Sequence, residues 1–109
     1  MVKGRIEWTD QQLTDQGLFL LVTIEGDGQV IRWGVQTHHP FEWLAYTLEE
    51  LGELSQAMSE WLYRGGSLED VEKEAIQVAT LALKIVEMAR EKRSALAVAT
   101  AAGDKKHVE

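Results

Sequence analysis

A single proline, Pro40, stands among 109 residues, and everything after it reads as two long helices. Proline lacks an N–H that the first helical position does not need, and its fixed φ suits that position. From there Phe41, Leu44, Leu48, Leu51, Ser55, Met58 and Leu62 recur at helical spacing and share one face. The pattern predicts a helix from about Pro40 to Tyr63, stopped at Gly65-Gly66. Ser67 with Asp70 marks the start of a second helix. It runs to about Arg93, or to Ala102 if the Ala-rich stretch continues it. Its apolar face is Val71, Val78, Ala82, Ile85 and Ala89, with Leu81 and Met88 at one edge. Gly103 and the polar residues 104–109 read as a frayed tail.

The stretch before Pro40 is less decided. Thr9 with Gln12 resembles a capping box, so a helix could start there. Phe19 to Ile24, then Gly26-Asp27-Gly28, then Val30 to Trp33 reads locally as a hairpin with a Gly-rich turn. A helix through both glycines would cost about 1 kcal/mol at each.

Two helices joined by a Gly-Gly loop form an antiparallel hairpin, and with one short further element they cannot enclose a core. The expected fold is therefore all-α: one domain over 1–109, core about 9–102, completing a four-helix-bundle-like core as a homodimer or homotetramer. The longest apolar run, Gly17 to Val22, is far too short to cross a bilayer. No signal peptide is visible after Met1, and the chain has no cysteine. Both fit a cytoplasmic setting without disulfides.

The net charge of −7 is local. Between Glu42 and Glu74 lie nine acids and only Arg64 and Lys73 as bases, whereas acids and bases balance elsewhere. Such a block repels nucleic acid and attracts divalent cations. A solvated face is the plain alternative. Glu49, Glu50, Glu53 and Glu60 share one stripe of the first long helix, and Glu50 and Glu53 are surface neighbours at i, i+3. On the second helix most charges lie away from the apolar face, but Glu74 points toward Val78 and Leu81, with Gln77 at the margin. A carboxylate there must reach the rim, pair or hold a metal. No cation on the facing stretch offers pairing, and Arg64 lies at its end. Hard oxygen donors without thiolates favour Mg²⁺, or Mn²⁺, over zinc.

Glu49-Glu50-Leu51-Gly52-Glu53, followed by Glu74-Ala75-Ile76-Gln77, resembles the MazG-like all-α nucleoside triphosphate pyrophosphohydrolases, whose signature is E-E-x-x-E and then E-x-x-D. Arg32-Trp33-Gly34-Val35-Gln36-Thr37-His38 resembles the W-G-x-Q-x-H segment of a compact branch of that family. The resemblance covers roughly residues 25 to 90. It implies Mg²⁺ held by Glu49, Glu50, Glu53 and Glu74, and hydrolysis of a (deoxy)nucleoside triphosphate to monophosphate and pyrophosphate. It implies a dimer or tetramer, and a helix before Trp33. Glu49 is either a ligand or the group that orients the attacking water. Trp33, Gln36 and His38 are the substrate-binding candidates, the last two also being able to cap the next helix.

Gln77 stands where the family has Asp. Its oxygen can ligate a metal without carrying charge, so the number of metals stays open. A non-catalytic nucleotide- or protein-binding module and a plain helical oligomerisation domain are the competing readings. Lys84, two turns beyond Gln77 on a similar bearing, could reach a phosphate, though a solvent-facing lysine is the default. Packing is the default for Trp8, Trp33, Trp43 and Trp61.

Overall fold

The computed structural model describes residues 6–106. Helix α1 spans Gln16–Trp33, α2 Pro40–Tyr63 and α3 Leu68–Lys106, with no strand among the described residues. Helix α3 is the spine. Helices α1 and α2 both pack on it and not on each other, which leaves a groove between them floored by α3.

The expected ends of α2 hold. His39 Nδ1 accepts from the Phe41 N–H at 3.1 Å, and the His39 N–H donates to Glu42 Oε1 at 3.0 Å. Two orphan donors at the helix start are thereby satisfied, with Pro40 at the first position. At the other end Gly65 adopts φ 76°, and the N–H groups of Arg64 and Gly66 both donate to the Glu60 carbonyl at 2.9 Å. A Cβ on Gly66 would stand 2.9 Å from the Glu60 carbonyl carbon, so this position has no room for a side chain. Ser67 Oγ then accepts from the Asp70 N–H at 3.1 Å and starts α3.

Residues 18–32, which the sequence left open between hairpin and helix, are helical, as the resemblance implies. Gly26 lies where α1 crosses α3, and a Cβ there would be 3.6 Å from both Thr80 Cγ2 and Lys84 Cε. The packing gained at this close approach outweighs the glycine propensity cost. The first helix starts at Gln16, not near Thr9. Asp15 is the cap, its side chain accepting from the Gly17 N–H at 2.9 Å, and Leu13 is the sole apolar residue from Thr9 to Asp15 that could anchor an earlier turn. Helix α3 runs through Gly103 to Lys106 instead of fraying at the glycine.

The burial also differs from the helical wheel. Among the described residues Val71, Thr80 and Leu81 are buried, so Val71 of the expected face and Leu81 of its edge turn inward, while Ala82 and Ala89 of that face are exposed. Thr80, 2% exposed, is satisfied by donating from Oγ1 to the Ile76 carbonyl at 2.7 Å. On α2, Phe41, Leu44, Leu48 and Leu51 face outward. The molecule measures 71 × 31 × 23 Å with a radius of gyration of 19.3 Å. A compact chain of this length would have about 13 Å.

Candidate metal centre and groove

Glu50 and Glu53 sit one turn apart on α2, and Glu74 faces them from the first turns of α3. One carboxylate oxygen from each lies within 4.8 Å of the other two. The Gly65-Gly66 turn and the Ser67 cap make this possible by folding α3 straight back along α2. Glu53 is exposed, but Glu50 and Glu74 are partly covered. Their Oε2 atoms are buried and have no hydrogen-bond partner among the described residues.

Burying anionic oxygens without donors is unfavourable, and like charges add to the cost. Desolvation first, and then the neighbouring Glu53 and Glu74 carboxylates, together push the Glu50 carboxyl up to about 7. Desolvation raises Glu74 as well, then Glu53 adds to it, with Lys73 opposing. A hard divalent cation would supply the charge and the ligation these oxygens lack. Three carboxylates with no thiolate or imidazole among them suit Mg²⁺ or Mn²⁺, so the donor set fits the expected ion.

The trio lies between two recesses. A larger groove of about 870 Å³ runs between α1 and α2. Trp33, Gln36, Glu49, Glu50 and Gln77 all line it. Its volume is in the range of small-molecule sites. A smaller acidic recess of about 420 Å³ is lined by Glu53, Glu74, Glu60 and Asp70. Glu50 thus faces the groove, and Glu53 and Glu74 face the other side. Glu49 lines the groove beside Glu50 but stands outside the trio. Gln77, half-buried, is one turn along α3 from Glu74.

Trp33 is 61% exposed, with the Arg32 guanidinium 4.7 Å over its ring. Gly34, at φ 75°, ends α1 just after it. Trp8, 59% exposed, meets the half-buried Trp61 with ring centroids 5.6 Å apart. His38 does not line the groove. Its Nε2 is 3.0 Å from Gln36 Oε1, and its ring stands edge-on to Trp43 and Tyr46 at 5.2 Å. It therefore buttresses the groove wall, and the cap is made by His39, not by His38 or Gln36.

One polar cluster joins Lys84, already a candidate for reaching a phosphate, to Glu25, Gln29 and Arg32, which the sequence did not single out. Lys84 Nζ donates to Gln29 Oε1 at 2.7 Å, Gln29 Nε2 donates to Glu25 Oε2 at 2.8 Å, and Arg32 Nη2 meets the same oxygen at 3.2 Å. Lys84 is half-buried rather than solvent-facing. Its bearing relative to Gln77 was the available signal. Glu25, Gln29 and Arg32 at i, i+4, i+7 form a stripe visible only once 18–32 is helical. Compared with known protein families, with curated proteins and with solved structures, the chain matches none.

Proposed function

We propose that the chain is an Mg²⁺-dependent nucleoside triphosphate pyrophosphohydrolase that clears surplus or non-standard (deoxy)nucleotides in the cytoplasm. One observation carries the reading: three carboxylates from two helices meet within 4.8 Å at the edge of a groove, with two buried oxygens left without partners. Bound there, Mg²⁺ supplies charge neutralisation for a triphosphate and electron withdrawal from the phosphorus under attack.

The chain's own groups divide the remaining tasks. Glu50, Glu53 and Glu74 hold the ion, and Gln77 offers a neutral oxygen beside it. Glu49, exposed in the groove, orients water and takes its proton as the water oxygen bonds to the α-phosphorus. The bond from that phosphorus to the bridging oxygen breaks, releasing pyrophosphate and leaving monophosphate. Trp33, 61% exposed beside Arg32, offers its ring for stacking on a base, and Gln36 offers an amide. The outward apolar residues of α2 support assembly with a second copy, or with three, into a helical bundle.

The test is pyrophosphate release from a panel of ribo- and deoxyribonucleoside triphosphates with Mg²⁺. Wild type should release it and Glu50→Ala should lose at least about a hundredfold in rate, as for removal of a group stabilising the transition state. No release from any substrate would sink the reading. Gln77 in place of a carboxylate favours a second one: a module with this site that binds nucleotide without turnover. Tight nucleotide binding with no product would support it.

A further inference from the structure

The groove has a second polar end. Lys84 sits seven residues after Gln77 on α3, about 10.5 Å along the helix, and Arg32 stands across from it on α1. These are the two cationic residues that line the groove. The α1–α3 crossing at Gly26 covers the Lys84 stem, leaving its head among polar atoms.

The hydrogen bonds show an imbalance. Glu25 Oε2 accepts from both Gln29 and Arg32, so its charge is engaged by the guanidinium. The partner of Lys84 is the neutral amide oxygen of Gln29, and among the described residues no carboxylate lies within ion-pair distance of its ammonium. An ammonium has three donors. A partly desolvated cation bonded to a neutral group gains from an anion brought next to it. Burial pushes the Lys84 ammonium below its ordinary range, Arg32 adds to that, and Glu25 and Asp27 oppose it.

We propose that Lys84, with Arg32 beside it, is the polyphosphate-recognising end of the groove, taking phosphate oxygens of a nucleoside triphosphate distal to the carboxylate trio. This deepens the pyrophosphohydrolase reading and rests on it for the ligand class. A chain of phosphates held by a cation-binding trio at one end and an ammonium at the other lies along the α3 floor. Lys84 thereby selects for polyphosphate length, not for base.

The test is calorimetric titration of inorganic tripolyphosphate, with Mg²⁺, into the full chain. Wild type should bind it, and Lys84→Met should weaken binding at least about tenfold, the size of one charge-assisted hydrogen bond. Lys84→Arg should recover most of the loss. Lys92→Met removes an exposed lysine of the same helix and should leave affinity unchanged. If Lys84→Met loses helicity, Lys84→Gln carries the same expectation. Absence of binding by wild type, full affinity in the Lys84 variants, or an equal loss in Lys92→Met would overturn the proposal. Turnover assays keep the two claims apart. Pyrophosphate release with Lys84-independent affinity removes the Lys84 role alone. Lys84-dependent tripolyphosphate binding without any turnover removes the hydrolase reading alone.

Discussion

Glu50 holds its proton far more tightly than an ordinary glutamate, and this ties the stability of the metal-free protein to pH. Its carboxyl titrates near 7 when folded against about 4.5 in the unfolded chain. Between those values the native state binds more protons than the unfolded state, so stability falls as pH rises through the window. The metal-free melting temperature should therefore drop as pH rises from 4.5 to about 7, and Glu50→Gln should flatten the drop. Mg²⁺ should restore stability at the upper end in wild type but not in Glu74→Ala, because a ligand stabilises only the state that binds it. A profile insensitive to pH and to Mg²⁺ would contradict the trio's assignment. Glu50 and Glu53 were legible from their spacing, and Glu74 from its place on an apolar face. The burial of Lys84 was not. It depends on how α1 crosses α3, and no local spacing encodes that register.

Punctuation decided which elements could be read. Pro40, Gly65-Gly66 and Ser67 act through backbone geometry and capping, which are local, so α2 and the start of α3 were legible to the residue. Gly26 and Gly28 carry an equally local signal that points the wrong way. At Gly26 the glycine serves close approach between helices rather than a turn. Two substitutions separate these roles. Gly26→Ala should be neutral or stabilising by up to about 1 kcal/mol, since its Cβ meets ordinary contacts at 3.6 Å and alanine favours the helix. Gly66→Ala should destabilise by about 1–3 kcal/mol, because its Cβ would stand 2.9 Å from the α2 backbone. Chemical denaturation of the two variants checks the order; a reversal would refute the packing described for both sites.

A single copy of this chain is short of core. Its accessible surface is 8928 Å², against about 6,100 Å² for a compact monomer of its mass. Much of the excess is apolar: Phe41 and Leu48 on α2 are 73% and 57% exposed, with Leu44 and Leu51 between and after them. Helix α3, 39 residues long, outruns the 24 residues of α2 by about 22 Å, leaving an unsupported end. Sedimentation should give two or four times the 12.3 kDa chain mass, and Leu48→Lys should shift it toward monomer with weakened cooperativity. A wild-type chain that sediments as a stable monomer would contradict this. The expectation of a partner comes from the sequence, which offers too few elements to close a core. Which face stays open was not legible, because helical periodicity reports that a face is apolar and not what covers it.

The most direct test of the central claim is hydrolysis in ¹⁸O-labelled water, with products read by mass spectrometry. Attack at the α-phosphorus predicts label in the nucleoside monophosphate and none in the pyrophosphate, with Mg²⁺ present, and no labelled product from Glu50→Ala. Label in pyrophosphate or in inorganic phosphate, or equal labelling by Glu50→Ala, would contradict it.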